Sequence, residues 1–567
     1  MTILHLALPS PLRRCFDYRL PTGWPVPPAG VRVRVPFGRQ VLIALVVGHG
    51  ETSEVPAGKL KAVLEVLDDE PVLPAALWRL AQWSAQYYQH ALGDALSQML
   101  PVLLRQGEPL RAAAPQVWRL TALGRALEAG VLRRAPRQQQ VLGLLREHEQ
   151  GLSETSLRAL AVQRDSLLAL AAKALVEQVA CEPAAAMVRP LLAEAPLAAG
   201  GEQAAAISAL RDAVSGADGF SAWLLQGVTG SGKTEVYLQV MAEVLASGRQ
   251  VLVLVPEIGL TPQTVARFQA RFQCPLAVLH SGLSDRERLQ AWRAARAGEA
   301  GIVIGTRSAV FTPLARPGLI IVDEEHDLSF KQQEGFRYHG RDVAVRRAQL
   351  EEVPVILGSA TPALESLANV QAGRYRRLAL TRRAGNASAP VVQCVDIRGQ
   401  ALVAGLCSSV RAGMAETLAR GEQVLVFINR RGYAPVLLCH ACGWQAGCQR
   451  CDARPTLHRD PPRLHCHHCG SERPPPRACP DCGSTDLRPV GVGTERLEEV
   501  LAELFPAVPV HRIDRDSTRR KGAMQAVMAR IQEGGAALLV GTQMLAKGHH
   551  FPGVTLVVIP DCDSGLF

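Results

Sequence analysis

The sequence predicts a multidomain α/β protein. Two parallel-sheet lobes, the second with a metal-binding insertion, follow a small mainly-β domain and a winged-helix-like module. Three observations carry this reading. From Glu202 onward, short apolar runs (AWLLQ, VLVLVP, GIVIGT, LIIVD, VPVILG) alternate with helix-like stretches, the pattern of a parallel sheet covered by helices. A glycine-rich phosphate-binding loop follows the first of these runs. Four C-x-x-C pairs interrupt a second set of apolar runs (VLVFIN, AALLVGT, VTLVVIP).

The elements follow in order. Residues 1–105 form an N-terminal domain: VRVRVPFG and VLIALVVGHG alternate or run apolar with Gly breaks, as short strands do, before a helical stretch. Residues 106–187 are Leu/Ala-rich and suit a winged-helix module or a helical spacer. The Pro/Ala/Gly-rich segment 188–201 reads as a linker. Residues 202–395 form the first lobe and 396–438 begin the second. The cysteine insertion spans 439–483, and 484–567 continue the second lobe.

Composition narrows the function classes. The chain has 567 residues, 48% hydrophobic and 20% charged, which suits several packed domains and excludes a disordered chain. No stretch approaches the roughly 18 uninterrupted apolar residues of a membrane span. The N-terminus lacks the basic head of a signal peptide, so a cytoplasmic protein with no membrane partner is expected. The +10 charge, from 62 basic and 52 acidic residues, is compatible with phosphate contacts to nucleic acid without requiring them.

Gly227, Val228, Thr229, Gly230, Ser231, Gly232, Lys233 and Thr234 match G-x-x-x-x-G-K-[ST] in full, between a strand and a helical run. Such a loop curls backbone N–H groups around the phosphates of ATP, with a helix N-terminus behind them. Lys233 is expected to neutralise the β- and γ-phosphates, and Thr234 to hold Mg2+. Leu319-Ile-Ile-Val-Asp-Glu-Glu-His326 places acids at the C-terminal end of a buried strand, where open α/β sheets bind ligands. Asp323 is the second Mg2+ ligand, Glu324 orients the attacking water, and His326 couples the site to neighbouring segments. Ser359 and Thr361 in Gly358-Ser-Ala-Thr-Pro362 offer hydroxyls for that coupling. Together these read as motifs I, II and III of a superfamily 2 helicase with two RecA-like motor lobes, with Gly541-Thr-Gln-Met-Leu-Ala-Lys-Gly548 at the mouth of the second.

Eight of the fourteen cysteines lie between Cys439 and Cys482. Each C-x-x-C pair supplies two thiolates to one tetrahedral ion, so four pairs make two closed, structural four-cysteine sites for two Zn2+. Three pairings are open. The five-residue gap between Cys442 and Cys448 favours the nested one: Cys439, Cys442, Cys479 and Cys482 on one ion, and Cys448, Cys451, Cys466 and Cys469 on the other. His465, His467 and His468 are alternative ligands, and iron–sulfur binding is the rival chemistry. Cys15, Cys181, Cys274, Cys394, Cys407 and Cys562 read as ordinary buried thiols.

The chain resembles one family, the bacterial primosomal protein N′ (PriA) replication restart helicases. The resemblance rests on GVTGSGKTEVYL, VPEIGLTPQT, VLHSGLS, GTRSAVFTP, VDEEHDLSFKQQEGFRYHGRDVAV, GSATPALES, the cysteine block, GVGTERLEE, and RIDRDST with GTQMLAKGHHFP. It extends to ALPSPLRRCFDYRLP and VRVRVPFG near the N-terminus. The family implies 3′ to 5′ movement on DNA, recognition of forked and single-stranded DNA, and reloading of the replicative helicase. Its partners are single-stranded DNA-binding protein and other primosome proteins, at the nucleoid. By resemblance, Phe16, Asp17, Tyr18, Gly38 and Lys61 form a pocket for a DNA 3′ end, where an aromatic ring stacks on the terminal base. Phe336, Arg337 and Tyr338 belong to an aromatic-rich loop that links DNA contact to hydrolysis, and Gln203 contacts adenine.

Two departures bear on this. Gly200 and Gly201 replace the polar pair that usually precedes Gln203 in the family. The sequence stops at Phe567, before the Q-x-x-G-R-x-x-R-type motif VI and its arginine finger, so weak ATP turnover is expected of the chain as given. An RNA helicase of the same superfamily and a fork-binding platform without motor activity are the alternatives.

Overall fold

The computed structural model describes all residues except 1, 113–115, 128–131, 133–134, 149–150, 161, 181–190, 217–218, 258–259, 261, 385–389, 429–435, 452–453, 460–461, 467–468, 491–493, 514–522, 542–550 and 561–567. It forms two compact units. The first holds residues 1–227, 233–254 and 270–380, and the second holds 228–232, 255–269 and 381–567. Residues 381–395, expected to close the first lobe, thus group with the second unit.

The first unit opens on a five-stranded antiparallel sheet in the order Phe16–Arg19, Ile3–Ala7, Gln40–Gly50, Arg32–Phe37 and Glu65–Val66. Alternate residues of its strands, among them Leu4, Leu6, Val33, Val35, Ala44 and Val46, fill one core. Arg32 is buried in a two-bond pair with Asp68 (2.7 and 2.8 Å) and also donates to the Glu108 carbonyl (3.0 Å). Such a fork satisfies the buried charge and pins the sheet to the segment behind it. Two helices, Ala75–Tyr87 and Leu92–Met99, follow. They share an apolar core with the first parallel-sheet lobe described next, through Leu77, Leu80, Leu96, Phe311 and Phe336.

Residues 116–180 build a three-stranded antiparallel sheet (Leu152–Ser153, Gln116–Leu120, Val176–Ala180). Helices Pro136–Glu147, Glu154–Ala159 and Arg164–Ala172 accompany it, around a core of Trp118, Leu142, Leu157 and Leu170. The segment expected to be a linker is anchored rather than loose. Leu191 accepts from the Gln273 N–H (2.8 Å), Ala193 donates to the Arg271 carbonyl (2.9 Å), and Gln239 donates to the Leu197 carbonyl (2.9 Å).

A seven-stranded parallel sheet forms the first lobe. Its order is Leu276–Leu279, Ile302–Gly305, Gln250–Leu254, Pro317–Asp323, Val355–Ser359, Ala222–Gly227 and Arg376–Leu380. Its central strands are buried almost throughout, which is why they read as unbroken apolar runs.

The second unit has a four-stranded parallel sheet in the order Val510–Ile513, Ala537–Gly541, Gln423–Phe427 and Val554–Val558. Val424, Val426, Leu538 and Val540 pack with Leu497 and Leu501 of helix Thr494–Leu504. An antiparallel pair, Val436–Cys439 with Leu487–Val490, opens and closes the cysteine insertion. Among the described residues no helix is long and apolar enough to cross a membrane.

Candidate functional site

The phosphate-binding loop connects strand Ala222–Gly227 to helix Lys233–Ala246. Gly230 (φ +79°) and Gly232 (φ +81°) take left-handed conformations that side chains resist, and the Ser231 N–H closes a turn on Val228 (3.0 Å). Lys233 Nζ donates to the Gly227 carbonyl (2.9 Å).

Asp323 ends its strand beside this lysine. It accepts a hydrogen bond from the Tyr237 phenol (3.1 Å). Gly358 on the adjacent strand makes room for the tyrosine, because a Cβ there would lie 1.5 Å from the phenol oxygen. Burial pushes the Asp323 carboxyl up to about 6. The charge of Glu324 pushes the same way, while Lys233 and Tyr237 oppose both. The folded value exceeds the unfolded one of ~3.9. Ionised Asp323 therefore opposes folding, and its share of stability grows as pH falls through 6 toward 4. For the Mg2+ that the sequence leads one to expect on Asp323, the dependence runs the other way, since that binding needs the carboxylate. Mg2+-dependent nucleotide affinity is expected to fall by about tenfold per pH unit below about 6. Fluorescent-nucleotide titration from pH 7.5 to 5 checks this, and a flat profile contradicts it.

Glu324 sits at φ +48°, left-handed backbone that costs a non-glycine residue about 1–2 kcal/mol. Strain of this kind persists where surrounding contacts hold it, and here they are visible. The Glu325 N–H donates to the Gly358 carbonyl (3.0 Å) and the Asp327 N–H to the Glu324 carbonyl (2.8 Å). The Glu325 side chain is fully buried. It accepts from Arg341 (3.1 Å), the Ala363 N–H (2.7 Å) and Ser366 (2.9 Å). His326 Nδ1 meets Ser359 Oγ at 2.8 Å, and the Thr361 N–H donates to the same oxygen (3.0 Å). The strand end carrying the acids is therefore fastened to the Gly358–Thr361 turn. Sequence reasoning missed Tyr237, Glu325 and Arg341 in these supporting places. Gln203 caps helix Gly201–Ser215, its side-chain oxygen accepting the Gly200 N–H (2.8 Å).

The five residues expected at a DNA 3′ end lie along the edge strand Phe16–Arg19 and its flanks. Asp17 accepts from Ser53 (2.5 Å) and meets His5 Nδ1 (2.7 Å). Burial acts against its charge, yet these hydrogen bonds hold its carboxyl below the usual range. Phe16 is half-buried, edge-on to Phe37 with centroids 5.4 Å apart, and Arg14 lies over its face at 5.0 Å. Gly38 is exposed in the turn next to Phe37. Exposed Lys61 joins through its carbonyl, which accepts the Arg19 N–H (2.8 Å). Tyr18 departs from the expectation. It is buried on the inner face, and its phenol donates to Pro36 (3.0 Å), so it is core and not a stacking surface.

The aromatic-rich loop needs a larger correction. Phe336 is fully buried and Tyr338 nearly so, packed with Phe311 at 6.2 and 4.8 Å. Their rings fill a core instead of facing DNA, because two aromatic faces have more to gain from burial than from a polar loop. Arg337, between them, is exposed. Phe336→Ala is accordingly expected to lower stability by about 3–5 kcal/mol, read as a urea-midpoint shift. A shift below ~1 kcal/mol would show the ring to be dispensable to the core.

The structure brings the cysteines together as Cys439, Cys442, Cys479 and Cys482, and as Cys448, Cys451, Cys466 and Cys469, with all sulfurs of a set within 4.8 Å. The pairs Cys439–Cys482, Cys442–Cys479, Cys448–Cys469 and Cys451–Cys466 are each 3.6 Å apart. A disulfide needs about 2.05 Å. A tetrahedron with ~2.3 Å zinc–sulfur bonds has sulfur–sulfur edges of about 3.8 Å, so the donor sets fit zinc. Backbone N–H groups of Trp444 and Arg450 point at Cys442 and Cys448 sulfurs (3.5 and 3.4 Å), as they do around thiolate ligands. His465 faces Glu472 (3.8 Å) and belongs to neither set. Of the cysteines expected to be buried, Cys407 is, Cys274 is half-buried, and Cys15 and Cys394 are exposed. His467, His468, Cys181, Cys562 and residues 542–548 of the Gly541–Gly548 motif lie outside the described residues.

The 3'DNA-binding domain (3'BD) family matches residues 5–101, the DEAD/DEAH box helicase family 202–370, and the PriA DNA helicase Cys-rich region 448–474. A DUF1998 helicase solved with DNA aligns at TM-score 0.40 and 13% identity, over 64% of this chain and 44% of that one. The chain is 37% identical to the replication restart protein PriA of Bacillus subtilis, over 98% of this chain and 77% of that one. With the PriA of Haemophilus influenzae it shares 48% identity over 100% of its own length and 77% of that protein. The chain therefore belongs to the PriA family of replication restart proteins, helicases of the DEAD/DEAH type.

Proposed function

We propose that the protein is an ATP- and Mg2+-dependent motor that moves 3′ to 5′ on DNA at abandoned forks. There it recognises the 3′ end of the leading strand and starts primosome assembly in the cytoplasm. The observation that carries the nucleotide part of this reading is Lys233, held to the Gly227 carbonyl, with Asp323 at the C-terminal end of a strand of the same sheet, its carboxylate braced by Tyr237 and followed by the strained Glu324. Lys233 neutralises the phosphate charge that builds up in phosphoryl transfer. Asp323 and Thr234 would hold Mg2+, which would supply positive charge against the phosphate groups. Glu324 orients the attacking water, and Gln203 offers its amide to adenine. His326, through Ser359, carries the state of the site into the Gly358–Thr361 turn.

Asp17, with Phe16, Gly38 and Lys61 around it, takes the 3′ end, and its carboxylate accepts the terminal hydroxyl. Two Zn2+ close the cysteine insertion. Single-stranded DNA-binding protein and the helicase-loading machinery are the partners. Unwinding of forks with only a 3′ tail or only a 5′ tail, in DNA and in RNA, tests the proposal. The 3′-tailed DNA fork should open with ATP. Opening confined to the 5′-tailed fork or to RNA would contradict it.

A further inference from the structure

The turn Tyr88-Gln89-His90 joins the two helices of the N-terminal domain, and its contacts run in two directions. On one side, Arg13 donates to the Gln89 side chain (3.0 Å) and also to its carbonyl. Arg13 adjoins Arg14, which covers the ring of Phe16, and it precedes Asp17 by four residues. On the other side, the His339 N–H donates to the Tyr88 phenol oxygen (3.1 Å), and Lys331 lies over the Tyr88 ring at 5.3 Å. Phe336 stacks on the His90 ring at 5.1 Å and meets Tyr88 edge-on at 6.1 Å. His90 is itself held by Asp94 (2.5 Å).

The segment gripped in this way is the loop that follows Asp323–His326. Lys331 and His339 pair across its base. Gln332 donates to the Tyr338 carbonyl (2.9 Å), and Arg307 donates to the Ser329 and Lys331 carbonyls (2.8 and 3.0 Å). Its tip, Gln333 to Gly335 with Arg337, stays exposed. The loop is thus rigid at its base and clamped at its core face, and the clamp belongs to the end-binding domain. Gln89 adopts φ +52°, a conformation a glutamine resists and that its neighbours must enforce.

From these contacts we infer that Tyr88-Gln89-His90 is a relay that links occupancy of the Phe16–Asp17 end pocket to the nucleotide site through the Lys331–His339 loop. The inference rests on the reading of that pocket as a 3′-end site. Tyr88 and Gln89 are positioning residues: Gln89 holds Arg13, the chain neighbour of the Arg14 that covers Phe16, and Tyr88 holds the His339 backbone. Two sites coupled through one rigid turn must influence each other's affinity equally.

Fluorescence anisotropy on forks ending in a 3′-hydroxyl or a blocking 3′-phosphate tests this, with and without Mg2+ and a non-hydrolysable ATP analogue. The analogue should change the wild-type preference for the free end by about fivefold or more. Tyr88→Phe keeps both rings in place and removes only the oxygen that accepts from His339. It should keep the preference and its melting temperature but lose the change, which a merely structural role would not produce. Gln89→Gly, which fits φ +52° without strain and frees Arg13, gives the same result by an independent route and serves if Tyr88→Phe unfolds. A preference that still responds to the analogue in the variants overturns the relay, as does a wild-type preference that never responds. A wild-type protein indifferent to the two ends overturns the end-pocket reading itself, so the two failures are told apart.

Discussion

Lys233→Ala lowers the rate of ATP hydrolysis by about a hundred- to a thousandfold or more, since removing even one preorganised neutral donor from a site that stabilises transition-state charge costs about that much. The lysine is the cation the structure sets beside Asp323, so its loss also removes the attraction that offsets burial and Glu324 there. The Asp323 carboxyl should then rise further above about 6, and Mg2+-dependent binding should weaken at neutral pH as well. Glu324→Gln separates the two effects. It removes the group that orients water and a negative charge that crowds Asp323, so nucleotide affinity should hold or rise while turnover falls by a similar factor. Steady-state hydrolysis and nucleotide titration on both variants check this pair. Equal losses of affinity and rate in Glu324→Gln would make it a binding group.

Removing zinc should unfold the insertion. The described residues of that segment bury few large apolar side chains, chiefly Leu437 and Leu464. Each fully buried leucine contributes about 1.5–3 kcal/mol. Structural zinc contributes about 10–16 kcal/mol per site at neutral pH, several times what this burial supplies. Metal analysis should give two zinc ions per chain. Cys442→Ser should leave one and open the outer site alone, with nucleotide affinity at Lys233 unchanged. Chelation should make the insertion protease-sensitive. Iron with visible absorbance would contradict the zinc reading, and an insertion that resists protease after chelation would contradict the stability argument.

Much of this architecture was legible because its signals are repetitive or chemically narrow. Central parallel strands such as Gln250–Leu254 and Pro317–Asp323 are buried on both faces and show as apolar runs. The two edge strands, Leu276–Leu279 and Arg376–Leu380, escaped notice. The second begins on two exposed arginines, and one face of an edge strand owes nothing to burial. Thiolates spaced for a tetrahedral ion leave little freedom, so the nested sets could be drawn from a short gap alone. The supports of the acids could not. Tyr237 reads as one more apolar position of a helix, and Glu325 as one of three adjacent acids. Their roles exist only through Asp323, Gly358 and Arg341, which arrive from other parts of the chain. Phe336 and Tyr338 misled in the opposite sense. In a polar loop, aromatics suggest stacking on a base, yet the helical turn at Tyr88 and His90 supplies a drier place for them. That turn lies about 250 residues upstream, and no local pattern could have announced it.

The most direct test of a DNA-driven motor is the steady-state rate of ATP hydrolysis at saturating Mg2+ and ATP, with and without a forked DNA bearing a 3′-hydroxyl leading end. The account predicts a rate that rises when the fork is added and is lost in Lys233→Ala. A rate that the fork leaves unchanged, or one that survives Lys233→Ala, would contradict it.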